Sequence, residues 1–314
     1  MSDSSTTSDP IVSVGLPLYN GEKYLRESLY SILSQTLTDF EIVISDNAST
    51  DATQAICEEY AKQDSRIRYM RYEENRGGPW NFNNTFDLSR GKYFKWAAYD
   101  DRIRARFLEA CVEALEERPD YVCCWPNNDV IDDDGNLYHR YEEPEMEHES
   151  DRPHLRFRDA VFGTHSTLQV YGVIRSDILR KTCKMAQWVC SDTTLEGQLA
   201  LYGKFYLHPE YLFERRYHEQ SSWKDSGQQF YAYDKIWRPV DIGDKIRFPY
   251  WKMTWENLRS IVTIPVPFSD RILCLWYSLT GRQRLSGRKQ YWFDIKNALR
   301  LFFKSPQTES NQEK

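Results

Sequence analysis

No apolar run in this chain approaches the roughly 18 residues that a membrane-spanning helix requires. No cationic start leads into an apolar stretch, so no secretory signal is read. Seven cysteines are an odd number, and their spacing matches no metal-site pattern. Cys123 and Cys124 stand side by side in an apolar run, which predicts buried thiols and a reducing, cytoplasmic setting. No internal repeat divides the chain, and 314 residues suit one large domain or a domain with an appendage.

What is present is a 40% hydrophobic fraction with a net charge of -6, the balance of a soluble globular protein. The charge is unevenly spread. Residues 271–314 hold nine Lys/Arg against three Asp/Glu, which gives that end +6 and the remainder about -12. An acidic body repels phosphate backbones, so no nucleic-acid partner is expected.

Residues 1–9 are Ser/Thr/Asp-rich with nothing to bury and read as a disordered start. Residues 11–17 read as a short buried strand ended by Pro17, followed by a turn and a helix with Tyr24, Leu25, Leu29 and Ile32 at helical spacing. Residues 40–46 form a second strand ending in Asp46, with a cap-rich loop and a helix carrying Ile56, Cys57 and Tyr60 behind it. Residues 67–72 alternate as a third strand, 75–79 break it, and 80–89 read as a helix. A fourth strand starts at Gly91, passes through Tyr93, Phe94 and Trp96, and runs to the pair Asp100-Asp101. This alternation predicts an α/β fold with a mostly parallel sheet, flanking helices and right-handed crossovers. Residues 17–20, Asp46-Asn47 and Asp100-Asp101 then share the carboxyl edge, where open α/β sheets bind ligands.

After that edge the rhythm loosens. Residues 121–125 read as a strand, and 131–136 as an acidic turn without the spaced acids of a calcium loop. Residues 139–160 are highly charged and are expected to form a mobile surface loop. A helix opens at Ser191-Asp192, and residues 205–207 form a strand ahead of Arg215-Arg216-Tyr217-His218. Beyond about residue 223 the pattern becomes helical, over 248–264, 271–279 and 291–303.

Two adjacent carboxylates repel each other unless a cation or hydrogen-bond donors sit between them. A hard divalent ion carrying phosphates is the usual occupant, because one or two carboxylates plus phosphate oxygens hold it. An isolated Asp-Asp turn is more simply a solvated helix cap, so the surrounding motifs decide the matter.

Those motifs are residues 14–20 and 43–51, Asn75-Arg76-Gly77 with Asn81, Asp100-Asp101, Cys190-Ser191-Asp192 and Arg216-Tyr217-His218. In their order and spacing, over about residues 10–225, the chain resembles the family 2 glycosyltransferases with their GT-A fold. The resemblance implies an inverting, metal-dependent enzyme that moves a sugar from a nucleotide-diphosphate sugar, a UDP-sugar being favoured. The acceptor would be a hydroxyl of a saccharide or lipid-linked glycan, in surface polysaccharide or glycan biosynthesis. It implies that Pro17, Tyr19, Asn20 and Glu22 pack on base and ribose, that Asp46 and Asn47 hold the nucleoside, and that Asn75, Gly77 and Asn81 close around it. Asp101 is implied as a direct ligand of Mn²⁺ or Mg²⁺, with Asp100 contacting ribose or the ion through water and His218 as a further ligand. Tyr99 stands where the full Asp-x-Asp form has its first acid. Asp192 is implied as the base that deprotonates the acceptor, with Glu196 as the fallback.

Each assignment has a plainer rival. Asp46, Asn47 or Ser49 could cap a helix, and Ser191 could cap the next one while Asp192 works as the base. Asn75, Gly77 and Asn81 could form a purely structural turn, and His218 could be ordinary surface. Arg215 and Arg216 could pair with phosphate oxygens or with the acidic body. His165, with Ser166 and Thr167, lies in the acceptor region and reads better as a loop histidine.

Residues 271–304 interleave Arg282, Arg284, Arg288, Lys289, Lys296 and Arg300 with Trp276, Tyr277, Tyr291, Trp292, Phe293, Phe302 and Phe303. That mixture suits a helix lying on the cytoplasmic face of an anionic membrane. Its rival is a helix packed on the catalytic domain or on a second subunit of a homo-oligomer. The expected divisions are a disordered 1–9, a GT-A domain over 10–225, a helical extension over 226–304 and a disordered 305–314. A catalytically silent nucleotide-sugar or glycan-binding protein is the first alternative, and Asp101 with Asp192 argues against it. A nucleotidyltransferase would show a Gly-rich phosphate loop with a basic residue after the first strand, where this chain has Leu16-Pro17-Leu18-Tyr19-Asn20.

Overall fold

The structure is a computed structural model that describes residues 9–163, 168–188, 190–218, 249–280 and 295–296. His165, Ser166 and Thr167 lie outside the described residues, as does most of the expected helix over 291–303. Strands β1 (Val12–Leu18), β2 (Phe40–Asp46), β3 (Ile67–Arg71) and β4 (Tyr93–Trp96) alternate with helices α1 (Glu22–Leu33), α2 (Thr53–Gln63) and α3 (Gly78–Asp87). The four strands are parallel in the order β3-β2-β1-β4, with Val12 opposite both Phe40 and Tyr93. Every residue of β1 and β2 is buried. Helices cover both faces of such a sheet, which is why these segments read as near-continuous apolar runs. Trp96 fastens α3 to the sheet by donating its indole N–H to the carbonyl of Phe82 at 2.9 Å.

The second half consists of β5 (Arg102–Ile103), α4 (Phe107–Glu117), β6 (Tyr121–Ile131), β7 (Leu137–Tyr141), α5 (Pro153–Phe162), a 3₁₀ turn (Leu168–Tyr171), β8 (Val173–Arg175), α6 (Ser176–Leu179), α7 (Ser191–Tyr202) and β9 (Lys204–Arg216). The sheet continues from β4 as β8-β6-β9-β5, with β7 also on β6. Its longest ladders are parallel, including β6 with β9, while β5, β7 and β8 join antiparallel. Strand β9 therefore carries Arg215 and Arg216 to the same edge as the acid pair. Helices α8 (Pro249–Thr263) and α9 (Phe268–Thr280) pack on α5 and α7 around Phe157, Leu201, Ile261, Ile264 and Cys274. Among the described residues no helix is long and apolar enough to cross a membrane. All seven cysteines are free, with Cys123 and Cys124 buried as expected.

Several local expectations are corrected. Strand β1 runs through Pro17 to Leu18. Its β4 neighbour ends opposite Gly15, so the proline ring falls where that edge is already unpaired. Strand β4 stops at Trp96, and residues 97–99 lead to the acid pair as a loop. Neither Ser49 nor Ser191 caps a helix: α2 follows Ala52, α7 follows Cys190, and neither start has a side-chain cap. The charged stretch 139–160 is not one long loop, because β7 and α5 take its two ends and His148 and His154 are buried within it.

Candidate functional site

The loop after β1 and the loop after β2 are zipped together at the sheet edge. Asn20 donates its N–H to Ser49 Oγ at 2.9 Å and accepts the N–H of Thr50 at 2.8 Å on its own Oδ1. Gly21 donates its N–H to Thr53 Oγ1 at 2.9 Å, and Glu22 Oε2 accepts the N–H of Ala52 at 2.8 Å. Asn20 adopts a left-handed φ of 53°, which asparagine tolerates. Gly21 has no Cβ because one would sit 3.0 Å from the ring of Tyr99. The side chains of Asn20 and Glu22 are thus committed to shaping the loop, whereas the ring of Tyr19 stays open to solvent and to a ligand.

Asp46 is fully buried at the end of β2. Its Oδ1 accepts the N–H of Ser49 at 2.9 Å, and its Oδ2 accepts the Tyr69 hydroxyl at 2.8 Å. Asn47 holds the next loop: it donates to Asn75 Oδ1 at 2.7 Å and accepts the N–H of Arg76 at 2.9 Å. Gly77 takes φ 87°, a conformation that favours glycine, and α3 begins behind it. Asn81 donates its amide to the carbonyl of Leu18 at 3.0 Å, while its buried Oδ1 has no hydrogen-bond partner. A buried orphan acceptor costs about 1–3 kcal/mol, which a donor on a ligand or water would relieve. The structure brings Pro17, Tyr19, Asn20, Glu22, Asp46, Asn47, Asn75, Gly77 and Asn81 to one edge, mostly as a hydrogen-bonded frame.

The acid pair is held from β9. Arg216 donates its backbone N–H to Asp101 Oδ1 at 2.9 Å and its Nε–H to the Asp100 carbonyl at 2.9 Å. The same buried guanidinium reaches the Asp133 carbonyl at 2.8 Å and Glu27 Oε2 at 2.7 Å, and lies 4.6 Å from the ring centre of Tyr24. His218 Nε2 is 2.9 Å from Asp100 Oδ2, and its ring packs against Tyr24. The acidic 131–136 turn is therefore part of the frame, with Lys23 bridging to Asp133 at 2.8 Å.

Beneath the pair sits Lys95, fully buried in β4. Its ammonium donates to the carbonyls of Trp96 at 3.0 Å and Tyr171 at 2.8 Å, which ties β4 to the 3₁₀ turn. Burial pulls its pKa down to about 8, against the pull of the Asp101 charge. Burial, and then the neighbouring Asp100, push the Asp101 carboxyl well above the usual carboxylate range, against Arg215 and Lys95. Burial also lowers the pKa of Arg215, opposed chiefly by Asp101.

On the far side, α7 carries Asp192 in its first turn and a fully buried Glu196 one turn later. Burial, then the charges of Asp192 and Glu143, push the Glu196 carboxyl well above the usual carboxylate range, which disfavours its ionised form. On β6, Asn128 is fully buried opposite Tyr141 of β7 and Phe213 of β9, and neither of its amide atoms has a hydrogen-bond partner. Gln169, in the 3₁₀ turn, is buried with both amide atoms in the same condition. Sequence reasoning passed over Lys95, Asn128, Gln169, Glu27 and Tyr24. For the first two a signal existed, a polar residue inside an otherwise apolar strand.

A divalent cation fits the acid pair. The upward push on Asp101 comes partly from a second carboxylate, and a positive ion removes that repulsion. Among the described residues no group of three metal-binding side chains converges, so phosphate oxygens and water would complete the shell.

A twisted, mostly parallel sheet with acids and a basic strand meeting at its carboxyl edge defines an α/β protein of the GT-A type. The family described as "Glycosyl transferase family 2" matches residues 13–181, more than half of the chain, and the chain belongs to that family. Glycosyltransferase GlyG of Streptococcus pneumoniae is 32% identical over 129 residues, 41% of this chain and 42% of GlyG. The GalNAc(5)-diNAcBac-PP-undecaprenol beta-1,3-glucosyltransferase of Campylobacter jejuni is 25% identical over 213 residues, 68% of this chain and 67% of that protein. The chain thus spans less than half of GlyG, and only 18% of the chondroitin synthase of Escherichia coli, to which it is 34% identical over 128 residues. Among solved structures, S. aureus TarS 1-349 in complex with UDP-GlcNAc superposes with a TM-score of 0.63 at 17% identity, covering 92% of this chain and 81% of that one. The mannosyltransferase PcManGT from Pyrobaculum calidifontis, in complex with GDP-Man and Mn²⁺, gives 0.54 at 15% identity, covering 95% and 89%. At those identities the likeness is one of fold.

Proposed function

We propose that this protein is an inverting, metal-dependent glycosyltransferase that takes its sugar from a nucleotide diphosphate, a UDP-sugar being the favoured donor. The observation that carries the reading is the Asp100-Asp101 pair, fixed by Arg216 and His218 at the sheet edge where Asp46 and the Asn47–Asn75 loop also end. The complexes of TarS with UDP-GlcNAc and of PcManGT with GDP-Man and Mn²⁺ support it by analogy of fold. Relatives named for teichuronic acid biosynthesis and for an undecaprenol-linked glycan support a saccharide or lipid-linked acceptor in surface polysaccharide assembly.

Tyr19 offers its ring to the base, and Asp46 stands behind the loop that would accept ribose or base N–H groups. Asp101, with Asp100 beside it, would hold Mn²⁺ or Mg²⁺, and His218 sits within reach of the same position. A bound ion would neutralise the diphosphate and favour its departure. Arg215 adds fixed positive charge near Asp101. Asp192 takes the proton of the acceptor hydroxyl as its oxygen bonds to the anomeric carbon. The bond from that carbon to the diphosphate breaks, and the nucleoside diphosphate leaves with the electron pair. Burial disfavours the ionised form of Glu196, which supports Asp192 over it as the base.

Thermal shift with UDP-, GDP- and dTDP-sugars, in Mn²⁺, Mg²⁺ or chelator, tests the reading on wild type and Asp101→Ala. A selective, metal-dependent stabilisation lost in the variant is expected. Stabilisation without any hydrolysis or transfer would favour a silent binding protein, and no stabilisation by any nucleotide would defeat the donor-site assignment.

A further inference from the structure

Helices α8 and α9 bury Ile261 and Cys274 against the body, yet each also leaves a row of large apolar side chains outside. The face of α9 that meets the body includes Asp270, Cys274 and Ser278, all buried, while Phe268 (75% exposed), Ile272, Trp276 (54%) and Leu279 (69%) are exposed. Their spacing of four, four and three residues places them on one stripe. Helix α8 repeats the arrangement. Thr254, Glu256, Asn257, Ser260 and Ile261 are buried, whereas Trp251, Trp255 (64%) and Val262 form an exposed stripe at the same periodicity. The polar sides are engaged with the body: Ser260 Oγ accepts from Gln198 at 2.8 Å, and Asp270 accepts from Arg152 at 3.2 Å and pairs with His154 at 2.5 Å.

Charge sorts the same way. The two acids of these helices, Glu256 and Asp270, are buried, while Lys252 and Arg259 keep much of their side chains in solvent. The sequence that follows, residues 281–304, holds seven Lys/Arg and a single acid, Asp294, in a chain whose remainder is acidic. Three exposed tryptophans with cations among them form an amphipathic surface whose outward chemistry is aromatic and positive. Large apolar side chains set in a row on two adjacent helices are a contact surface rather than scattered exposure.

We infer that the exposed stripes of α8 and α9 dock this protein on an anionic lipid surface. The aromatic side chains enter the headgroup boundary, and Lys252 and Arg259 meet lipid phosphates. The inference goes beyond the transfer reading and does not depend on it.

The test is co-sedimentation of the full chain with vesicles of phosphatidylcholine alone and of phosphatidylcholine mixed with phosphatidylglycerol, with light scattering on the same samples. Wild type is expected to partition onto the anionic vesicles, less so at high salt. Phe268→Ser with Trp276→Ser should weaken that partition at least ten-fold, and Arg259→Glu should weaken it on anionic vesicles. All three side chains concerned are exposed, so fold is retained, and transfer to a water-soluble saccharide should be unchanged in the variants. Loss of that transfer in wild type would speak against the proposed function and leave the docking result standing. Absence of wild-type binding to either vesicle overturns the inference, as does binding that the substitutions leave intact. A dimer without vesicle binding that the same substitutions split also overturns it, and assigns the stripes to a second copy.

Discussion

Arg216 donates its backbone N–H to Asp101 at 2.9 Å while its guanidinium holds the carbonyl of Asp100 at 2.9 Å. One residue of β9 therefore fixes both members of the acid pair, and also Glu27 of α1 and the turn at Asp133. A buried planar fork serving this many acceptors cannot be replaced by an ammonium. Arg216→Lys is expected to keep the circular-dichroism spectrum but lower kcat/KM for transfer roughly 10²-fold, because ligands shift by about an ångström. Activity close to wild type in that variant would show that the pair is held by other means.

The Asp101 carboxyl is raised by burial and by Asp100, so a proton competes with a cation there at less acidic pH than for an ordinary aspartate. Metal affinity should fall as pH drops through that raised value. Asp100→Asn removes the like charge, lowers the Asp101 pKa and moves the midpoint of the Mn²⁺ affinity profile to lower pH. Calorimetric Mn²⁺ titration between neutral and mildly acidic pH reads this directly. A midpoint that Asp100→Asn leaves in place would mean that the two carboxylates do not share the ion.

The parallel half of the fold was legible because its strands are buried on both faces and its helices carry a regular apolar period. The acids at the strand ends were legible for the same reason, since parallel strands must end together. What spacing could not show was reach. The guanidinium of Arg216 meets a carboxylate 189 positions away, and Asn47 meets Asn75 through a loop that reads only as a turn. Nor could periodicity tell which side of a stripe faces the body. The apolar stripe of α9 is evident in the sequence, but its outward orientation follows from the buried contacts of Asp270 with Arg152 and His154. Lys95 stood out as a polar residue in an apolar strand, but its partners did not: two carbonyls receive its ammonium in the core, one of them 76 positions away.

Glu41, buried in β2, fastens the opposite end of the sheet. Burial pushes its carboxyl up, but bonds from Arg90, Ser13 and Arg68 outweigh this and hold it below the usual range. A depressed folded-state pKa means that this contribution is complete above the unfolded value of 4.5 and is lost as pH falls through the lower folded value. Melting temperature should therefore drop on acidification below about pH 5 in wild type, and less steeply in Glu41→Gln. At neutral pH the variant should lose about 1–3 kcal/mol, since the Arg90 N–H and Ser13 hydroxyl lose an ionised acceptor. Parallel pH–melting curves for the two proteins would contradict this account.

Asp192 and Glu196 lie one helical turn apart on α7, and their environments separate their roles. Glu196 is fully buried and its carboxyl is driven up by burial and by Asp192, which disfavours its ionised form, whereas Asp192 is only partly buried. An amide matches the shape of a carboxyl whose ionised form is disfavoured by burial, so Glu196→Gln should retain kcat. Asp192→Asn removes the proton acceptor and should lower kcat on the order of 10²- to 10⁴-fold. UDP affinity should be unchanged in both, because neither side chain belongs to the loops around Asp46 or Asp101. Steady-state transfer assays paired with calorimetric UDP binding separate the possibilities. If Glu196→Gln abolished turnover while Asp192→Asn kept it, Glu196 would be the base.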